Sequence, residues 1–138
     1  MLFSTVVVGT WYIENKMSDI EENNIKKAIV DFYHEGHVKS DPKLYEQILH
    51  DRWLFFVYVA EELKIVDKDE YMSWYDPEKN DDSLKWTTDF FYVDITNNIA
   101  QAKIKLENQN ICYIDYFNLV KKDDRWWIVN KLSDYTVK

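Results

Sequence analysis

The 138-residue chain is predicted to fold as an α+β domain, a cone in which a curved antiparallel sheet wraps around about three helices. Three observations carry this reading. The last third reads as consecutive strands at 99–107, 111–120 and 125–131, joined by short polar turns. The first third holds two segments with helical spacing of apolar residues. Between them, 52–59 is apolar on both faces, the mark of a strand covered on both sides. The expected order is α-α-β-β-α-β-β-β-β.

Residues 1–17 are set apart as an N-terminal extension, and 18–138 as one domain. The stretch 2–13 is apolar and β-branched, yet too short to span a bilayer. It has no basic flank or small-residue cleavage site, as a signal peptide would. Val6 to Ile13 reads either as an extra strand or as an extension upstream of a start at Met17.

The first helix is expected over 19–35. Ser18 and Glu21 have the spacing of a capping box, and Ile20, Ile25, Ala28, Ile29, Phe32 and Tyr33 form an apolar stripe. Gly36 is placed to end the helix in the left-handed conformation. A short second helix follows, with Asp41 as N-cap, Pro42 at its first position, and Leu44, Ile48 and Leu49 facing inward. After the strand at 52–59 come a short strand at 61–66 and a third helix. Asp67 and Glu70 open that helix, which carries Tyr71, Trp74 and Tyr75. The charged stretch 76–83 reads as a loop.

The strand at 85–95 turns at Asn97-Asn98, where Asn tolerates positive φ. The next strand alternates cleanly. Ala100, Ala102, Ile104 and Leu106 face in, and Gln101, Lys103, Lys105 and Glu107 face solvent. Before the last strand, a three-residue loop at 122–124 would set Asp115 opposite Lys131. A four-residue loop at 121–124 would set it opposite Asn130 and gather the apolar residues better, so that register is favoured.

Composition narrows the function classes. Apolar residues make up 46% of the chain and only two Gly and two Pro occur, which excludes a disordered or low-complexity protein. A net charge of −8 with scattered basic residues argues against nucleic acid, whose affinity comes from Lys and Arg on phosphates. The single cysteine, Cys112, reads as a small buried hydrophobe and fits a reducing, cytoplasmic setting. No membrane partner, metal or cofactor is expected.

Certain stretches resemble a known superfamily. They are Tyr33-His34-Glu35-Gly36, Ser40-Asp41, Leu49-His50, then Asp115-Tyr116-Phe117-Asn118-Leu119-Val120-Lys121 with Arg125-Trp126-Trp127-Ile128-Val129-Asn130-Lys131. In order and spacing the chain resembles the NTF2-like superfamily, which includes SnoaL-like and ketosteroid-isomerase-like proteins. More narrowly it resembles the bacterial group labelled "putative lumazine-binding". The resemblance runs from Ser18 to Tyr135. Departures are Asp124, where the family's turn has Gly, and Asp51, where Pro is common. The resemblance implies a cone-shaped fold and a homodimer formed through the outer sheet face. It leaves function open, since members range from isomerases and dehydratases to binding and associative domains.

Asp115 is the sharpest candidate, because it shares its strand phase with Ile111, Tyr113, Phe117 and Leu119. A carboxyl turned into that interior could act as acid or base, or serve as a structural acid bonded to Tyr or Lys131. His50 is read as ending the second helix, either as a pocket base or as a charge favouring the helix terminus. His34 and His37, with Glu35, are read as exposed residues at a helix end, with no third metal ligand. Tyr33, Trp53, Tyr58, Trp74, Trp86 and Tyr113 are candidates to line a pocket for a planar ligand, or to pack the core. The leading expectation is a small-molecule-binding or associating domain. The alternative is an isomerase or dehydratase using Asp115 and His50.

Overall fold

A computed structural model describes residues 2–138. In order the elements are α1 (Leu2–Ala28), a π-helical turn (Ile29–His34), α2 (Glu35–Lys39), α3 (Pro42–Glu46), β1 (Leu49–Val59) and β2 (Glu62–Asp67). Then follow α4 (Lys68–Ser73), β3 (Thr87–Thr96), β4 (Ile99–Glu107), β5 (Ile111–Lys122) and β6 (Arg125–Val137). The strands make one sheet in the order β2-β1-β6-β5-β4-β3. Neighbours are antiparallel except β1 and β6, which run parallel. The expected α+β architecture is present, with one parallel pair that the sequence reading did not include.

The core lies between the helices and one face of the sheet. Ile25, Ile29, Tyr33, Tyr45 and Tyr71 meet Trp53, Phe55, Val57, Ala102, Ile104, Leu106, Phe117 and Ile128. The alternation predicted for β4 holds, with Ala100, Ala102, Ile104 and Leu106 all buried. No helix among the described residues is long and apolar enough to cross a membrane.

The first helix departs from expectation. It begins at Leu2 and takes in 6–13, so that segment is helical and not a strand. Extending a helix costs far less than starting one, and the helix-forming run after residue 13 carries the upstream turns with it. Ser18 therefore lies inside the helix and caps nothing. Its supposed partner Glu21 instead accepts hydrogen bonds from Lys121 Nζ (3.1 Å) and Trp126 Nε1 (2.8 Å), tying α1 to the sheet.

Ile25, Ile29, Tyr33 and His37 recur every four residues and all are buried. Four residues overshoot an α-helical turn of 3.6 but undershoot the wider i→i+5 turn. The π segment thus cancels the drift and keeps these side chains in one inward row. Gly36 sits within α2 and does not end it; that role falls to Ser40, at φ 48°. Gly36 is required by space, because a Cβ there would lie 2.6 Å from Tyr45 Cε1. Asp41 and Asp67 cap α3 and α4 as expected, accepting from Lys43 N and Glu70 N, both at 2.9 Å.

The β5–β6 hairpin corrects both proposed registers. Its loop is two residues, Asp123 and Asp124, at φ 55° and 58°, and Lys122 pairs with Arg125. The short polar side chain of Asp tolerates this left-handed geometry, which suits a tight hairpin. The register then slips between Leu119↔Ile128 and Asn118↔Asn130, which leaves Val129 as an extra residue. Asp115 consequently pairs with Ser133. Before the bulge Trp126 and Ile128 face inward, and after it Lys131 and Ser133 do.

The outer face of the sheet is apolar and uncovered within the chain. Leu54 and Tyr58 of β1, Leu63 and Ile65 of β2, Tyr116 of β5 and Leu132 of β6 are exposed. The two-sided cover expected for 52–59 is thus half met, since only Trp53, Phe55 and Val57 are buried. Cys112 is half-buried, not enclosed.

Candidate functional site

The open end of the cone holds a cavity of about 260 Å³. Tyr33, His37, Phe55, Tyr71, Trp74, Tyr75, Trp86, Leu106, Tyr113, Asp115 and Lys131 line it. Most of the wall is aromatic, and its polar groups come from five different elements: the π turn (Tyr33), α2 (His37), α4 (Tyr71), β5 (Asp115) and β6 (Lys131).

Asp115 and Lys131 are the cavity's charged pair, with 1% and 3% of their surface exposed. They are joined through a hydroxyl. Lys131 Nζ donates to Tyr33 Oη at 2.8 Å, and Tyr33 Oη donates to Asp115 Oδ2 at 2.9 Å. Ser133 Oγ donates to Asp115 Oδ1 at 2.6 Å. Both carboxylate oxygens are therefore satisfied, as a buried charge requires. Burial, with the Asp115 charge beside it, pushes the Tyr33 hydroxyl well above its ordinary range, so it stays protonated.

The amine of Lys131 lies among rings, 3.8 Å from the Phe55 centroid and 4.7 Å from that of Tyr71. Cation–π attraction offsets part of its desolvation. Burial still lowers its pKa to about 8, against the opposing pull of Asp115. One of its protons goes to Tyr33. The Tyr71 hydroxyl, also on the cavity wall, makes no hydrogen bond of ordinary length among the described residues, although the Tyr33 and Tyr75 hydroxyls are its polar neighbours. It is a buried polar group without a close mate, which native interiors seldom leave.

His37 is held by the rings of Tyr33, Tyr45, Tyr75 and Trp86, whose centroids lie 4.8–5.7 Å away. Its Nδ1 lies 3.0 Å from the Tyr33 carbonyl and 2.9 Å from the Tyr45 hydroxyl. A carbonyl only accepts, so we assign the proton to Nδ1 and leave Nε2 as an acceptor. Burial first, then the charge of Lys131, lowers its pKa to about 3, so the ring is neutral.

The sequence model of the family described as "Putative lumazine-binding" matches residues 21–134. The chain belongs to that family. No sequence among the curated proteins matches it. Solved structures similar to this family member include NTF2-like proteins of unknown function. One from Silicibacter pomeroyi DSS-3 is 16% identical, with TM-score 0.72, covering 89% of this chain and 98% of its own. One from Shewanella baltica OS155 is 18% identical, with TM-score 0.72 and coverage of 84% and 94%. One from Methylobacillus flagellatus KT is 22% identical, with TM-score 0.70 and coverage of 88% and 93%. These likenesses establish the NTF2-like fold.

Within this family fold, the candidates named from sequence are partly brought together. Asp115, Tyr33, Trp74, Trp86 and Tyr113 line the cavity. Trp53 is core, with its ring centroid 5.9 Å from Lys131 Nζ. Tyr58 lies on the outer face. His50 starts β1 instead of ending a helix, and lines a separate recess with Asp51, Lys122, Asp123 and Trp127. It therefore does not share a cavity with Asp115. His34 and His37 are not an exposed pair: His34 bonds Thr88 Oγ1 at 2.8 Å and His37 is buried.

His37, Tyr71, Tyr75 and Lys131 are wall residues not named as such from the sequence. The four-residue spacing of Ile25, Ile29, Tyr33 and His37 was a usable signal for the first. Lys131 was named from sequence only as a partner for Asp115, because the bulge that turns it into the cavity wall leaves no mark in the strand pattern.

Proposed function

We propose that the protein binds a small planar aromatic molecule in the cone and performs no catalysis of its own. The observation that carries this is an aromatic-walled cavity into which Tyr71 and Lys131 bring unspent hydrogen-bond donors. Its volume lies just below the roughly 300–1,000 Å³ typical of ligand pockets, which suits one or two fused rings. A pteridine-dione such as lumazine, the molecule in the family's description, offers ring faces for Trp86 and Tyr113 and carbonyls for the two donors. Asp115 supports binding over acid–base work, because its oxygens are engaged by Tyr33 and Ser133 and the Tyr33 hydroxyl shields it. Its separation from His50 leaves a paired catalytic role without geometric support.

Lumazine titrated into the protein is expected to quench tryptophan fluorescence saturably at one site per chain. Tyr71→Phe should weaken binding by about fivefold to tenfold, the worth of one net hydrogen bond. Unsaturable quenching, or equal affinity in that variant, would sink this reading.

We also propose that a second copy of this chain covers the outer face of the sheet. The support is the contiguous apolar surface of Leu54, Tyr58, Leu63, Ile65, Tyr116 and Leu132. Sedimentation at micromolar concentration should give a dimer, and Leu132→Glu should give a monomer that still binds ligand. A monomer for the unmodified chain at all concentrations tested would refute the dimer.

A further inference from the structure

We propose that Lys131 is a carbonyl-capturing amine, forming an imine with a small aromatic aldehyde seated in the cone. This rests on the ligand-binding reading of the same cavity and adds a covalent step to it.

Three features of geometry support the step. Lys131 stands in the wall of a ring-lined cavity, where a planar ligand would place a substituent against it. Its Nζ is held by one protein hydrogen bond, to Tyr33, and not by a carboxylate clamp. Lys68, the other buried lysine, is the contrast. It is ion-paired to Glu46 at 3.0 Å and Asp51 at 3.4 Å, and it is absent from the cavity wall.

The third feature is the chain from Lys131 through Tyr33 to Asp115. An ammonium has no lone pair and must first lose a proton. Here that proton is lost to solvent at the working pH, and Tyr33 Oη, hydrogen-bonded to Nζ and anchored by Asp115, holds the free amine in place. A pKa near 8 agrees with a free amine that is readily populated.

The reaction balances without an oxidant or cofactor. The Nζ lone pair adds to the carbonyl carbon, a C–N bond forms, and the C=O π electrons move to oxygen, which takes a proton. The nitrogen loses one proton to give the neutral carbinolamine, its lone pair forms C=N as the hydroxyl leaves, protonated, as water, and the nitrogen then loses its second proton, so that two protons leave nitrogen and two reach oxygen. Amine and aldehyde give imine and water. Tyr33, bonded to Nζ, is the group placed to carry protons between nitrogen and oxygen.

The test uses naphthaldehyde with sodium cyanoborohydride at pH 8, read by intact mass and peptide mapping. The expected result is a single reduced adduct on Lys131, formed at least about tenfold faster than on any surface lysine, whose amines are almost wholly protonated there. Lys131→Met should abolish it, and Tyr33→Phe should slow it. Naphthylmethanol, which has the same rings without the carbonyl, should protect Lys131 in the unmodified protein, so the test does not depend on a variant folding. Adducts spread evenly over the lysines would overturn the proposal. If naphthylmethanol quenches tryptophan saturably and no Lys131 adduct forms, the imine is refuted and the binding reading stands. If neither aromatic binds, both fail.

Discussion

Replacing Asp115 with Leu is expected to lower the unfolding free energy at pH 7 by roughly 3–5 kcal/mol, the usual cost of stranding a buried charge. Two buried hydroxyls, of Tyr33 and Ser133, lose their acceptor, and the Lys131 ammonium loses the carboxylate to which Tyr33 connects it. Adding Lys131→Met should recover much of that loss, because two apolar residues then replace two dependent charges. Urea denaturation of the two single variants and the double variant gives the coupling. A loss below about 1 kcal/mol for Asp115→Leu, or a double variant no more stable than it, would show that the network does not hold the cone together.

Acid should destabilise the protein through His37 from about pH 6.5 downward. The ring has a folded-state pKa of about 3 against an ordinary 6.5. Below pH 6.5 the unfolded chain binds a proton that the folded chain refuses, so the stabilisation is complete above pH 6.5. It is lost as the pH falls to about 3, at up to about 1.4 kcal/mol per pH unit and roughly 5 kcal/mol in all. The groups facing this ring offer no counter-charge. Tyr33, Tyr45 and Tyr75 are neutral phenols, Trp86 is apolar, and the nearby cation is Lys131. Unfolding free energies measured between pH 7 and 5 should show this slope, and His37→Gln should flatten it. A flat profile in the unmodified protein would mean that the ring is solvated.

Much of the architecture was legible in the sequence because regular elements advertise their period. The β4 alternation named its four buried residues correctly, and Asp115 was placed inside from strand phase alone. Asp41 and Asp67 announced their helices through local cap chemistry. What escaped depended on irregularity or on distant partners. The inward row ending at His37 needs a π turn, which two neighbouring histidines and a glycine made to look like a frayed helix end. Gly36 suggested a stop signal, and its actual reason is the Tyr45 ring packed against it from another helix. His50 looked like a pocket base because it was placed at the end of a helix, whereas it lies at the start of β1 and opens on a separate recess.

The extra residue at Val129 divides β6 into two working lengths. The part nearer the turn contributes Trp126 and Ile128 to the packed floor of the cone, and the part beyond contributes Lys131 and Ser133 to its mouth. The polarity of the mouth is thus written in the count of backbone residues as much as in their identity. Pairing the same residues straight through, without the bulge, would bring Asn130 and Leu132 inside and send Lys131 to the surface, exchanging a cationic lining for an amide and a methyl-bearing one with no change of sequence in the strand. In a fold shared by proteins so dissimilar in sequence, gaining or losing the bulge at this point is a route to a new cavity chemistry that leaves the floor undisturbed.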